Sequence, residues 1–216
     1  MAIAVDATSS GKDTTTNTLT VAHTCTGSDL VLVVLAGAYD GAGSDRDISG
    51  ITYDGTALTY IDRGEYDAED SQMEAWYIAD PSTGNNNIIV TYGGTCDEVT
   101  LMAISLTGAG TIDTNDNASG DGVTITKTLD CAADAMMIGG TQTTTASPTN
   151  LSVTVGTLIA EVDPGFTASS AYIVSADGNT TLTWTGGDRA WAVVVVSINI
   201  KVASTDNPAF LLNMMR

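Results

Sequence analysis

The chain has 216 residues, 43% of them hydrophobic, with 22 Gly and only 4 Pro, a composition that builds a packed core and excludes a disordered or collagen-like chain. Seven basic against 26 acidic residues give a formal charge of −19, and such a field repels phosphate backbones and anionic lipid, so nucleic acid and membrane surfaces are not expected partners. The longest apolar runs, residues 30–36 and 191–198, are too short to cross a bilayer as helices, and the opening MAIAVDATSSGKDTTT lacks the basic, apolar and small-residue succession of a secretory signal.

In chain order, residues 2–8 alternate in polarity and read as an edge strand or an exchanged one. Strand patterns follow at 19–21, 30–36 and 51–53, and Asp54-Gly55 turns the chain into the next pattern. Further strands are expected at 75–78, at 87–92, which Gly93-Gly94 ends, and at 99–106. After 123–126 come 134–141, 151–162, 171–174, a turn at Asp177-Gly178, 180–184 with Gly186-Gly187 behind it, and 191–198. The unbroken apolar run 192–196 reads as a central strand covered on both faces. No segment before Val202 has helical periodicity.

The strand patterns echo one another. Residues 29–36 (DLVLVVLA) correspond to 134–141 (DAMMIGGT), 51–62 to 151–162, 75–78 (AWYI) to 171–174 (AYIV), 87–92 (NIIVTY) to 180–184 (TTLTW), and 99–106 (VTLMAISL) to 191–198 (WAVVVVSI). A repeat over about 29–108 and 134–200 is a duplicated sheet unit. One copy alone leaves an apolar face wet, so the expected fold is all-β: an antiparallel β-sandwich or jelly roll of two echoing halves over 1–201. Residues 202–216 form a separate tail or arm. There Asn207-Pro208 marks a turn, and Phe210, Leu211, Leu212, Met214 and Met215 make an apolar cluster expected to dock onto another subunit or back onto its own sandwich.

Residues that carry chemistry are few. Cys25, Cys96 and Cys131 are odd in number and lack metal-type spacing; Cys25 and Cys131 precede equivalent strands, which leaves open a bridge between them or three free thiols. His23 is the only histidine, which excludes His-based zinc sites, and it reads as a surface residue. Glu65-x-Asp67-x-Glu69, followed by Asp70 and Glu74, would align three carboxylates on one face of a strand, where mutual repulsion raises one pKa. This pattern resembles the catalytic strand of jelly-roll glycoside hydrolases of the laminarinase and lichenase type, which implies Glu65 and Glu69 as the catalytic carboxyl pair. Tyr66 and Ala68 depart from that family's interleaved apolar residues, and three Trp make a poor sugar groove, so a solvated acidic loop is the preferred reading.

Calcium is the one cofactor considered, since hard cations need several oxygen ligands. Two segments supply them: 40–47, and the loop expected around Asp113, Asn115, Asp116, Asn117 and Asp121. Neither has EF-hand spacing, and surface turns use the same residues. The sequons at Asn117, Asn150 and Asn179 agree with exposed loops.

The series DATSSG, NTLTVAHT, DLVLVVLAGA, ITYDGTALTYI, MEAWYIADP, NIIVTYGG and VTLMAISLTGA resembles a β-sandwich module of tailed-phage virion proteins and of large secreted bacterial surface proteins. The resemblance covers about residues 5–200 and is most specific at 51–59, 75–80 and 191–200. It implies a binding or structural unit without a catalytic set. The expected function is therefore that of a non-enzymatic structural protein of a phage or virus particle, most specifically a capsid decoration, or cement, protein. It would be made in the host cytoplasm, sit on the virion surface, and partner itself or the major capsid protein. The alternative is a carbohydrate-binding or adhesive extracellular module, including a filament subunit, with Tyr39, Tyr53, Tyr60, Tyr66 and Trp76 as aromatic candidates for glycans.

Overall fold

A computed structural model describes residues 2–41, 47–66, 71–143, 151–162 and 168–202, with the side chains of 187–189 excepted. Among these residues there are strands and no helix. The first half holds β1 (Ala4–Cys25), β2 (Val31–Tyr39), β3 (Ile48–Tyr53), β4 (Thr56–Ala57), β5 (Thr59–Tyr66), β6 (Ser71–Ala79) and β7 (Gly84–Thr107). The second holds β8 (Ala109–Cys131), β9 (Met136–Thr143), β10 (Ser152–Val155), β11 (Thr157–Val162), β12 (Ala168–Val174) and β13 (Gly178–Ile200). Each half builds its own antiparallel sheet, in the orders β4-β3-β7-β2-β6-β5 and β10-β13-β9-β12-β11. β1 adds to β7, and β8 to β13.

The long strands shape the molecule. Straight, the 24 residues of β7 would span roughly 80 Å at about 3.3 Å each, so the strand has to bend. It does so with its partner. A Cβ on Gly11 would lie 2.6 Å from Val21 Cγ2 on the same strand, and Lys127 Nζ reaches Asp116 Oδ2 (2.5 Å) and the carbonyl of Asn117 (2.9 Å), also within one strand. The bends fall where register breaks, between Thr16 and Thr18 in the β1–β7 pair and between Thr185 and Arg189 in the β8–β13 pair. Gly93-Gly94 and Gly186-Gly187, expected to end strands, lie inside continuous ones. Their missing side chains let a bulge turn the ladder without cutting it.

Curling gives each half a core of its own. Leu32, Val34, Ala36 and Ala38 of β2 point into the first, and Val193 and Val195 of β13 into the second. The other faces of the same strands, with Val31, Val33 and Leu35 from one and Val194, Val196 and Ile198 from the other, meet in a third apolar layer between the sheets. That is why both strands read as unbroken apolar runs: each is buried on both faces.

The halves pair their strands alike. Cys25 lies opposite Gly84 as Cys131 lies opposite Gly178, and Val31 opposite Leu106 as Met136 opposite Ile198. The correspondence takes in β1 and β8, which precede both segments of the sequence echo. It also moves one match: Trp184, opposite Ile125, is the counterpart of Val90, opposite Leu19, and not of Tyr92.

Across the middle layer β2 and β9 run side by side in the same direction. A Cβ on Gly140 would sit 3.0 Å from Leu35 Cδ1, and one on Gly37 2.5 Å from Gln142 Oε1. At one pole the Lys201 N–H donates to the Gly108 carbonyl at 2.9 Å, and a Cβ on Gly108 would lie 2.6 Å from the Ala2 carbonyl oxygen. Residues 4–8 take the edge-strand alternative, because Ala4 starts the β1–β7 ladder opposite Thr107 and β1 pairs with no other strand among the described residues. β2 and β9 both run out at the other pole. Phe210, Leu211, Leu212, Met214 and Met215 lie outside the described residues.

Candidate functional site

The site with the most exposed chemistry stands on the β5–β6 pair. β5 is the edge strand of its sheet, and the register sets Tyr60 opposite Trp76, Arg63 opposite Glu74 and Glu65 opposite Gln72, so the members of each pair share a face. Tyr60 is 48% exposed and meets Trp76 edge-on, with ring centroids 5.4 Å apart. The Trp76 indole N–H donates to Glu74 Oε2 at 2.8 Å. Arg63 bridges Glu65, at 2.8 Å, and Asp47, at 2.5 Å. Glu74 is buried, and burial pushes its pKa up to about 7 against the opposing pull of the Trp76 hydrogen bond and the Arg63 charge. An aromatic face beside a guanidinium and carboxyl groups suits a ligand with an apolar side and hydroxyls.

The acidic run is thereby divided. Glu65 sits in the Arg63 ion pair, Glu74 is the carboxyl that burial perturbs, and Asp67, Glu69 and Asp70 lie outside the described residues.

A second carboxyl is hidden in the middle layer. Ser71, Tyr39 and Glu98 are opposed in a row across β6, β2 and β7. Glu98 is fully buried, and neither of its carboxyl oxygens nor Ser71 Oγ has a hydrogen-bond partner. Burial drives its pKa up to about 8, with the charge of Lys12 and the nearby Gln142 amide opposing. Beside it Thr100 donates to Gln142 Oε1 at 2.8 Å. Nothing local in the sequence singles out Glu98. Its burial arises because β9 of the other half closes over it.

The expected calcium loop is strand β8, where Asn115, Asn117 and Asp121 share one face and Asp116 points to the other. Asn115 and Asn117 donate to Asp62 on β5, at 2.8 Å and 3.0 Å. Asp116, one residue off that face, pairs with Lys127, and Asp121 accepts from the Tyr66 hydroxyl at 2.7 Å. Asp113 is exposed on the same strand. Among the described residues no three His, Cys, Asp or Glu side chains come together as a metal site. In the other segment Asp40 is buried, the Gly41 N–H donates to Asp97 Oδ2 at 3.1 Å, and 42–46 lie outside the described residues. Asn117 and Asn179 are exposed but on strands, and Asn150 lies outside the described residues.

Three further expectations change. Cys25 and Cys131 do not bridge: both are free, and they belong to the separate cores of the two halves. Cys96 is likewise buried and in no disulfide, and its thiol donates to the Gly94 carbonyl at 3.8 Å. His23 is not on the surface but 2% exposed, with Nδ1 2.9 Å from Ser9 Oγ, its ring edge-on to Tyr53, and no partner at Nε2. Burial lowers its pKa, with Asp6 opposing. The alternation Leu19-x-Val21-x-His23-x-Cys25 was the signal for that position. Tyr53, an aromatic candidate, is fully buried and donates to the carbonyls of His23 and Gly84, at 3.3 Å and 3.2 Å.

No protein-family model matches the chain, and comparison with curated proteins finds no relative.

Proposed function

We propose that this protein is a non-enzymatic structural subunit of a phage or virus particle, most specifically a capsid decoration protein. It assembles on the outer surface with copies of itself or with the major capsid protein, through apolar terminal segments. The observation that carries the reading is the polarity of the sandwich. Residues 2, 108 and 201 meet at one pole, and the sequence that follows carries the apolar residues Phe210, Leu211, Leu212, Met214 and Met215, so in this reading one pole anchors and the other projects. Three packed apolar layers make a stiff body for that role, and a charge of −19 keeps decorated particles apart.

The test is the mass in solution, by light scattering, of the full chain and of a full-length variant carrying Phe210→Asp, Leu211→Asp and Leu212→Asp, each with and without purified capsids. Self-association or capsid binding by the parent alone supports the reading. A parent that stays monomeric and leaves capsids undecorated overturns it.

A second reading, a carbohydrate-binding or adhesive module, has the Tyr60–Trp76 pair in its favour. Glycan-array binding that Tyr60→Ala abolishes would establish it; no binding, or binding that Tyr60→Ala leaves intact, removes it.

A further inference from the structure

Two aromatic rings on the β5–β6 pair meet nearly at a right angle rather than in a stack. Tyr60 and Trp76 are opposed in register, their centroids lie 5.4 Å apart and their planes are inclined at 76°, so the two ring faces bound a corner. Tyr60 is 48% exposed and Trp76 half-buried, so both rings reach solvent. A flat sugar ring stacks on only one wall of such a corner. A compact, rounded cation touches both, because each aromatic face carries the negative side of its quadrupole.

Charge points the same way. Burial, and after it the charges of Glu74 and Asp62, push the Tyr60 hydroxyl pKa up; Arg63 opposes them and Glu65 adds to them. Three carboxyl groups thus act on this ring against one guanidinium. That guanidinium is itself offset, because Arg63 forms ion pairs with Asp47 at 2.5 Å and Glu65 at 2.8 Å. Glu74 Oε2 accepts the Trp76 indole N–H at 2.8 Å, which sets a carboxyl beside the second ring. The ring faces and the carboxylates therefore favour the same sign of ligand, and repel a uronate or a phosphate.

We propose that the Tyr60–Trp76 corner binds a small quaternary ammonium compound of the choline type, with its methyl groups against the rings and its charge balanced by the surrounding carboxylates. The proposal goes beyond both readings above and depends on neither. The ligand is the free ammonium alcohol and not a phosphocholine head group, since the phosphate of the latter meets the field that attracts the cation.

NMR of the full-length chain at pH 8, where Glu74, titrating at about 7, is ionised, tests the assignment with the Trp76 indole N–H as reporter. Choline is expected to shift that resonance saturably at millimolar concentration. Its neutral analogue, in which carbon replaces the nitrogen, has the same shape without the charge and should bind about tenfold more weakly. Phosphocholine should also bind more weakly than choline. Tyr60→Phe keeps the ring and should keep the binding, whereas Tyr60→Ala should weaken it about tenfold; thermal unfolding first shows that both variants fold as the parent does. The proposal is wrong if choline leaves the indole unmoved, if the neutral analogue binds as well as choline, or if Tyr60→Ala binds like the parent. Tighter binding of phosphocholine overturns the choice of a free ammonium alcohol. Glycan binding that Tyr60→Ala abolishes, in a protein that does not respond to choline, would keep the carbohydrate reading and remove this one.

Discussion

The two halves fill the same architecture in opposite ways. Where the first has Val34 and Val90, the second has Gly139 and Trp184, and a Cβ on Gly139 would lie 2.9 Å from the Trp184 ring and 2.7 Å from Val195. One half divides the volume evenly and the other gives nearly all of it to one indole. The middle layer shows the same trade between counterparts that face each other. Leu35 fills the space left by Gly140, and Gln142 the space left by Gly37. Two identical halves would set leucine against leucine or leave a void, and close-packed interiors tolerate neither. The halves have thus become complementary and are no longer interchangeable.

Exchanging a residue for its counterpart tests this, and the core pair should respond most. Trp184→Val is expected to cost about 3 kcal/mol, for lost contacts and a cavity, and Gly139→Val about 2 kcal/mol, for overpacking. Together they reproduce the first-half arrangement, so the double variant should recover at least about 1 kcal/mol of the sum. Denaturant unfolding of the four proteins measures this; strict additivity would show that the two sites do not share their volume.

Next comes the carboxyl present in one half only, since Glu98 has Ala190 as its counterpart. A free Glu titrates near 4.5 and Glu98 at about 8, so the folded state keeps a proton that the unfolded chain gives up. Stability present below pH 4.5 is lost as pH rises through 8, at most on the order of 5 kcal/mol. Glu74, raised to about 7, adds to the same fall but finishes earlier. The slope of melting temperature between pH 7 and 8 belongs to Glu98, and Glu98→Gln should flatten it. A slope unchanged in that variant would place the titration elsewhere.

His23, whose counterpart is Leu129, acts in the opposite direction. Its pKa lies below the ordinary 6.5, so its stability is present above that pH and lost as pH falls. His23→Leu should raise the melting temperature at pH 5 relative to pH 8 by about 2–4 °C, and an equal shift at both would count against a titrating ring. Smallest is Asp62→Ala, which installs the counterpart Ala160 and releases Asn115 and Asn117. Partly exposed polar contacts of this kind contribute about 0.5–1 kcal/mol. Chemical unfolding that shows no loss would make the contact between β5 and β8 a matter of packing alone.

Much of the fold was legible because strand signals are local. The apolar runs of β2 and β13, the Asp54-Gly55 turn and the matched segments 29–36 and 134–141 stand where they were read. The candidate site was legible only in outline. Tyr60, Trp76 and Glu74 were each noted, but their assembly depends on the β5–β6 register, and Glu98 carried no local mark. The loop expected at 113–121 is a strand, because Asp and Asn are ambiguous between turns and an exposed strand and the partner strand β13 decides.

The sequence by itself determined the strand-forming character of the chain, its doubled plan and its acidic surface, since each follows from residue type and short-range spacing. Only the tertiary structure decided where the long strands bend, that three apolar layers form, that His23, Glu74 and Glu98 are buried, and which glycine faces which large side chain. Those outcomes depend on contacts between residues far apart in the chain, and neither propensity nor periodicity records them.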